Sequence, residues 1–393
     1  MHTLIVCTHY PWPADDGVRT RISHVVNAAL RCGTVELWCL DGNDDHTNDP
    51  PSGVSVYRTP EGSRVNAVSW LGRWMTSRIP RRISQRDFKA AAQHSPSGAY
   101  DLCLVEHPDT FVAVAERLPR GIPWICDLDN LENYAIISKL ASAGPPQGLV
   151  GTAKQLMDRE DTRRWDRLQR QIASRCQRVL VCSELDVERS GVLNAVCVPN
   201  GYELVWDHRA HRETPNHTMV FIGQLGYEPN VVGIRWFVDQ VLPLIREVVP
   251  DAQVRIVGRG SESVADLGST PGVVVVGAVD SLEDELQSAG VVIVPLRSGA
   301  GTRLKVIEAL ANQIPLVTTT IGCEGIDLLD GVHCRIVDHP TTFADACVES
   351  MTDLEKVRAR AQQGYVQFEQ HYQWSTIESR LAELLRSVAN HRG

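Results

Sequence analysis

The sequence has no run of 18 apolar residues, so nothing in it reads as a membrane-spanning helix. No charged segment precedes Leu4-Ile-Val-Cys-Thr8, and a secretory leader is therefore not expected. There is no Cys-x-x-Cys pair and no cysteine–histidine cluster with zinc spacing, which leaves no structural metal to assign. The 11 cysteines are scattered instead. Cys7, Cys39, Cys103, Cys126 and Cys182 lie in or beside apolar runs, and they read as small core residues in a reducing, cytoplasmic setting. The chain also lacks a basic surplus. Its 39 Lys and Arg against 48 Asp and Glu give a net charge of -9, which argues against wrapping nucleic acid. No Gly-x-Gly-x-x-Gly follows Leu4–Thr8 or Met219–Gly223, so the main signature of a nicotinamide dehydrogenase is missing. Short-period repeats and low-complexity segments are absent too.

What is present is an ordinary globular composition, 43% hydrophobic and 22% charged, over 393 residues, a length that favours two domains. Short apolar runs alternate with helical patterns throughout, as expected for an α/β fold of doubly wound parallel sheets. Strands are expected at Leu4–Thr8, Val35–Leu40, Val54–Tyr57, Leu102–Glu106, Trp124–Asp127, Val179–Ser183 and Val196–Pro199. A polar stretch from Asp207 to Thr218 reads as a linker. The pattern then restarts with Met219–Gly223, Val254–Gly258, Val273–Gly277, Val291–Pro295, Leu316–Thr318 and Cys334–Val337. The expectation is therefore a first domain over 1–206, joined by a C-terminal helix over 374–393, and a second over 207–373. Ligands of open α/β sheets bind beyond the carboxyl ends of the strands, so two such domains are expected to face one another across a cleft.

The most informative stretch is Ser298-Gly-Ala-Gly-Thr-Arg-Leu-Lys-Val-Ile-Glu-Ala-Leu-Ala311. It places a glycine-rich turn between a buried strand and a helix whose apolar residues include Leu304, Ile307 and Ala311. Free N–H groups of the helix's first turn and its positive dipole end favour an anion there. Gly299, Ala300, Gly301 and Thr302 supply the turn, and Arg303 and Lys305 add full positive charges. Glu308, about one turn further on, can accept hydrogen bonds from the vicinal hydroxyls of a sugar. A carboxylate that only complements the helix dipole would sit nearer the first turn.

Taken with its surroundings, this motif resembles the retaining glycosyltransferases of family 4, which have the GT-B fold of two Rossmann-like domains. Phe221-Ile-Gly-Gln-Leu-Gly-Tyr-Glu-Pro-Asn230, Val241-Leu-Pro243, Val254–Gly258, Gly277, Asp280, Ala289, Pro295 and Pro315–Thr319 follow in family order over roughly the last half of the chain. The first half resembles the family more loosely through Pro11–Gly17, His107 and Val198-Pro-Asn-Gly201. Two departures stand out. Ala300 occupies the first of two glutamate positions, and Gln224 and Asn230 stand where the family carries an Arg and a Lys.

The resemblance implies transfer of a sugar from a nucleoside diphosphate donor to a hydroxyl of a small molecule, natural product or lipid-linked glycan, with retention at the anomeric carbon. Arg303 and Lys305 take the departing diphosphate, Glu308 the ribose, and no cofactor or metal is expected because the cations stand in for one. Gly17, Gly223, Gln224, Asn230, Gly258 and Gly299 join the donor site, and Ala300 marks where sugar recognition differs. His107, at a strand end, is placed near the donor sugar. Read without the resemblance, Gly17 is an ordinary tight turn and His107 a structural loop histidine.

Arg19 and Arg21 could reach a phosphate or an acidic acceptor, or form a solvated helical turn. Asp127, Asp129, Asn130 and Glu132 offer acceptor contacts, or a helix cap at Asp129. Arg73 to Arg86 carries five arginines among Trp74, Met75 and Ile79 and is a candidate for peripheral contact with the inner face of an anionic membrane. Arg159 to Arg178 is balanced by Glu160, Asp161 and Asp166 and reads as a salt-bridged surface helix. Two rival functions share the architecture: a nucleotide-sugar epimerase, which would consume donor without acceptor, and a catalytically weak nucleotide-sugar-binding protein.

Overall fold

The computed structural model describes residues 1–14, 16–40, 48–59, 75–76, 79–84, 96–142, 146, 148–204, 216–299 and 301–390. They form two compact α/β units, Met1–Pro199 with Ile377–Gly393, and Asn200–Thr376. The division after Pro199 comes earlier than the expected boundary at 206, and the return comes at Ile377, inside the helix Trp374–Asn390 rather than at its start. Hydrogen bonding explains the shift. Tyr202 N–H donates to the Tyr372 carbonyl at 2.9 Å, which ties the segment after Pro199 into the second unit. Most of the expected linker, 207–215, lies outside the described residues.

In the first unit, β1 (His2–Cys7), β2 (Thr34–Cys39), β3 (Val54–Arg58), β4 (Leu102–Glu106), β5 (Trp124–Asp127), β6 (Arg178–Val181) and β7 (Ala195–Cys197) form one sheet in the order β3-β2-β1-β4-β5-β6-β7. Every pairing is parallel. Leu4, Ile5, Val6, Leu102, Cys103, Leu104 and Val105 are all 0% exposed, so β1 and β4 are covered on both faces. This is why they read as continuous apolar runs rather than alternating ones. Asp16 caps the helix Gly17–Leu30 by accepting from Arg19 N–H at 2.8 Å.

The helix Gly148–Arg175 carries the expected ion pairs, Arg164 to Glu160 at 3.0 Å and Arg170 to Asp166 at 2.5 Å. It is more than a surface helix, because Trp165, Leu168 and Ile172 are buried in the core. The end of Trp374–Asn390 is fastened by Glu378, whose carboxylate accepts from His24 Nδ1 at 2.7 Å, Asn27 Nδ2 at 3.1 Å and Arg31 Nη2 at 2.5 Å.

In the second unit, β8 (Thr218–Ile222), β9 (Gln253–Val257), β10 (Val273–Gly277), β11 (Val291–Val294), β12 (Leu316–Thr318) and β13 (Arg335–Ile336) order as β10-β9-β8-β11-β12-β13, again all parallel. One face packs Phe221, Phe237 and Phe343 in a single cluster, with Phe237 and Phe343 edge to face at 5.9 Å. The other face packs Val306, Ile307 and Leu310 from the helix Leu304–Ala311. Both sheets therefore wind outward in two directions from a central pair of strands, β1/β4 in the first and β8/β11 in the second. Crevices for ligands form at such switch points, beyond the carboxyl ends of the strands.

Candidate functional site

The residues singled out in the second half converge at the β8/β11 switch point. Gly223 follows β8 directly, and the loop 295–303 follows β11 and enters the helix Leu304–Ala311. Gly299 and Gly301 have φ of 128° and 86°, values that glycine adopts at little cost. Within the loop, Arg303 is buried and its Nη1 donates back to the Gly301 carbonyl. Thr302 Oγ1 accepts from Asn200 Nδ2 at 3.2 Å. Ala300 lies outside the described residues.

Lys305 leaves the first turn of the helix and is gripped from the β8 side. Its Nζ donates to Asn230 Oδ1 at 2.8 Å and stands 4.6 Å from the centre of the Phe221 ring, while Asn230 Nδ2 donates to the Gln224 carbonyl at 2.8 Å. Gly223 makes the room: a Cβ there would lie 2.8 Å from the Lys305 Nζ and 2.9 Å from Asn230 Nδ2. Gly258 is needed for a different reason. Its φ is 144°, and a Cβ would fall 1.9 Å from the Gly223 carbonyl oxygen. Thus Gly258 lets the ends of β8 and β9 approach, and the exposed Gln224 contributes its backbone carbonyl to the network.

Two charges in this site are strongly perturbed. Burial, reinforced by the neighbouring Arg303 charge and opposed by Glu308, brings Lys305 down to about 7. Part of the lysine side chain still meets solvent, but the ammonium itself is packed against Asn230 and the Phe221 ring. Burial likewise raises Glu308 to about 7, against the opposing effects of a hydrogen bond from Tyr202 and the charge of Lys305. A cation and a carboxylate both perturbed by burial at a sheet's switch point make this the candidate ligand site. Asn200, Tyr202 and Asn312 were not assigned roles by sequence reasoning. The one signal available for Asn200 and Tyr202 was the Asn-Gly turn before Tyr202. Asn312 ends the helix, where it donates to the Glu308 carbonyl at 2.8 Å.

In the first unit, the ends of β4 and β5 hold a second cluster. Asp127 is 0% exposed and accepts from Arg21 Nε at 2.7 Å, from Arg21 Nη2 at 3.0 Å and from Asp129 N–H at 2.9 Å. Arg21 Nη1 donates to the Val198 carbonyl at 3.0 Å. Neither residue is therefore turned outward: Asp127, expected as an acceptor contact, and Arg21, expected to reach a phosphate or to lie solvated, hold each other inside the domain because two desolvated charges stabilise one another.

Asp129 has φ 55° and accepts from Cys182 Sγ at 2.9 Å and from Asn130 Nδ2 at 3.3 Å. Glu132 is paired with Arg82. Among the described residues neither oxygen of the fully buried Glu106 has a hydrogen-bond partner. Burial first, then the Asp127 carboxylate, push Glu106 well above the usual carboxylate range, against the pull of Arg21.

His107 follows β4 with φ 68°, an uncommon conformation for a residue with a Cβ, and its N–H donates to the Asp127 carbonyl at 2.8 Å. Gly17 is exposed at the start of its helix, and Arg19 lies beside Asp16 at 3.9 Å. Of the arginines between 73 and 86, Arg81 pairs with Asp158 at 2.8 Å and Arg82 with Glu132, so both are engaged within the domain. Arg73, Arg78 and Arg86 lie outside the described residues. No helix among the described residues is long and apolar enough to cross a membrane.

Comparison with known proteins bears on this geometry. Residues 216–353 match the family described as glycosyl transferases group 1. The whole chain is similar to the structure of sucrose-phosphate synthase from Thermosynechococcus elongatus, at 17% identity and a TM-score of 0.70 with 99% of each chain covered. The fold is GT-B. HepE of Anabaena, solved in complex with UDP, shares this GT-B architecture at 13% identity and a TM-score of 0.59, covering 98% of this chain and 100% of that one. An uncharacterized 44.6 kDa protein in the cps region of Klebsiella pneumoniae is 23% identical over 198 residues, 48% of this chain. The match spans half the length of that relative. The group 1 match covers β8 through the whole of the helix Pro340–Thr352, and so contains the Gly223, Asn230, Lys305 and Glu308 constellation.

Proposed function

We propose that this protein transfers a sugar from a nucleoside diphosphate sugar to a hydroxyl group, with retention of anomeric configuration. The observation that carries the reading is the placement of Lys305, held by Asn230 beside Gly223, and Glu308, one turn along the same helix, at the β8/β11 switch point. In that reaction negative charge builds on the departing diphosphate. Arg303, Lys305 and the N–H groups of Gly301 and Thr302 receive it, each well-placed donor contributing about 3 kcal/mol in comparable sites. Glu308 takes the ribose hydroxyls. Because the two cations already neutralise the diphosphate, we assign no metal to the reaction.

A UDP complex of the similar Anabaena protein supports a nucleotide ligand for this fold. His107, with its strained backbone at the end of β4, is assigned to the hydroxyls of the transferred sugar, and the loop from Asp129 to Glu132 to the acceptor. The acceptor class includes lipid-linked glycans, reached at the inner face of a membrane. The test begins with a thermal-shift screen against UDP, GDP, ADP and TDP and their sugars, in which a specific donor raises the melting temperature by mass action. NMR of the anomeric product then reads the stereochemistry. Stabilisation by none of the nucleotides would overturn the proposal; consumption of donor without acceptor would convert it to an epimerase.

A further inference from the structure

The helix Gly148–Arg175 has two unlike halves. From Asp158 onward it carries buried residues, and Trp165, Leu168 and Ile172 close on the core of the first sheet. Of its described residues before Asp158, none is buried. Leu149 is 90% exposed and Val150 83%, and Ala153 and Leu156 are exposed too. Leu149 and Leu156 stand two turns apart with Val150 and Ala153 between them, so these side chains form one apolar stripe. Ile137, on the helix Glu132–Ser142 that packs beside this one, is also exposed. The helix of 28 residues is about 42 Å long, against about 20 Å for the longest strand of the sheet. It ends at Arg175, just before β6 begins at Arg178, so it runs back along the sheet. Its first turns therefore stand past the carboxyl ends of the strands, on the side where the loop Asp129–Glu132 leads into the preceding helix. Between Glu132 and Asp158 the only charged residues are Lys139 and Lys154, both exposed, in a chain of net charge -9.

We propose that the tip of this helical hairpin docks on an anionic lipid bilayer, with Leu149, Val150 and Leu156 entering the interface and Lys139 and Lys154 meeting the headgroups. The inference goes beyond the transfer reaction, and it rests on neither nucleotide binding nor the arginines between 73 and 86. Leucine and valine held in water at the end of a protrusion gain by entering an apolar phase. Four such side chains fall well short of the roughly 800 Å² per partner that a stable protein interface buries. A bilayer has no such requirement: it admits a narrow apolar wedge, and lysines beside the wedge are drawn to anionic headgroups. The local charge fits that surface, since an acid-free tip is the one part of an acidic chain that a negative membrane does not repel. Contact is interfacial, because no helix among the described residues is long and apolar enough to cross. Docking in this way turns the carboxyl ends of the first sheet, with the loop Asp129–Glu132, toward the headgroups.

The test is cosedimentation of the full chain with phosphatidylcholine vesicles, with and without about 30% phosphatidylglycerol. Wild type should pellet with the anionic vesicles, and less so as salt is raised. The double variant Leu149→Gln, Val150→Gln keeps good helix formers at two exposed positions, so its melting temperature should match wild type while its vesicle affinity falls at least about tenfold. Lys139→Gln with Lys154→Gln should lose about tenfold or more on the anionic vesicles and nothing on the neutral ones. Wild type left in the supernatant with both vesicles, equal binding to the two compositions, or an unaffected glutamine variant at 149 and 150 overturns the proposal. Self-association in the ultracentrifuge that the same variant abolishes, without vesicle binding by wild type, assigns the stripe to a second copy of the chain and overturns it as well. Nucleotide binding by wild type is measured separately, and neither result decides the other.

Discussion

The Lys305 ammonium and the Asn230 side-chain oxygen stand 2.8 Å apart, and Asn230 is in turn anchored to the Gln224 carbonyl. An amide thus holds a cation that burial has brought down to about 7, and it does so where the family resemblance would have placed a second cation. A lysine at the Asn230 position would raise the repulsion on Lys305; an asparagine orients it without adding charge. Replacing Asn230 with Ala is therefore expected to weaken UDP or pyrophosphate binding by about tenfold, one charge-assisted hydrogen bond's worth. Calorimetry with both ligands checks it, and equal affinities in the two proteins would refute the role.

Lys305 and Glu308 give the pH dependence of stability a defined shape. Between pH 7 and the ordinary lysine value of 10.5, the unfolded chain holds a proton that folded Lys305 has released, so stability rises with pH there. Between the ordinary glutamate value of 4.5 and pH 7, folded Glu308 keeps a proton the unfolded chain has lost, so stability falls as pH rises. The unliganded protein carries a minimum near pH 7 from this pair. Urea titrations of wild type and of the double variant Lys305→Met, Glu308→Gln at pH 5.5, 7 and 9 measure it, and the gain from the double substitution should be largest at pH 7. A gain independent of pH would refute the assignment.

Two glycines at the switch point separate packing from binding. A Cβ at Gly258 collides with the Gly223 carbonyl at 1.9 Å in a backbone that side chains rarely adopt. Gly258→Ala should cost about 3 kcal/mol or more in stability. A Cβ at Gly223 meets mainly the movable ends of Lys305 and Asn230. Gly223→Ala should change stability by no more than about 1 kcal/mol and still reduce nucleotide affinity severalfold. Denaturation midpoints and binding constants of the two variants would have to show the reverse pattern to contradict this.

Much of this was legible in the sequence, for physical reasons. Leu102–Glu106 and Leu316–Thr318 matched the structure residue for residue, because parallel strands covered on both faces leave uninterrupted apolar runs. The loop from Gly299 to Lys305 was legible because glycine and charge at a strand-to-helix junction have few other uses. The Asn200 to Thr302 contact was not, since it joins segments about a hundred residues apart and no local pattern encodes it. Arg21 misled for a related reason. An arginine in a first helical turn usually meets water, and only the parallel placement of β4 and β5 beside that helix brings it to Asp127. The boundary at Pro199 was missed because polar composition marks a linker, whereas Asn200 and Tyr202 belong to the second unit through hydrogen bonds.

The Glu378 contacts predict how the C-terminal helix stays on the first domain. Burial alone would raise this carboxylate, but hydrogen bonds from His24, Asn27 and Arg31 keep it below its ordinary value of 4.5. A depressed carboxylate contributes stability above its unfolded value and loses it as pH falls through the folded one. Glu378→Gln should cost about 2 kcal/mol at pH 7, and the gap to wild type should narrow below about pH 4.5. Urea midpoints across pH 3.5 to 7 measure that gap, and a constant difference would contradict the role.

The Arg21–Asp127 pair yields the sharpest stability test, because breaking a buried pair leaves a charge with no water to receive it. Arg21→Met removes both guanidinium donors to Asp127 and the one to the Val198 carbonyl. It also removes the positive charge that offsets Asp129 and opposes the rise in Glu106. The expected cost is about 3–5 kcal/mol. Arg21→Lys should recover only part of it, since an ammonium cannot make two parallel bonds to a carboxylate. The double variant Arg21→Met, Asp127→Leu should recover more than the lysine, because it removes the stranded charge itself. If the single Met variant unfolds at the wild-type urea concentration, the pair is a surface contact in solution, and the account of Arg21 and Asp127 as a buried pair inside the domain falls with it.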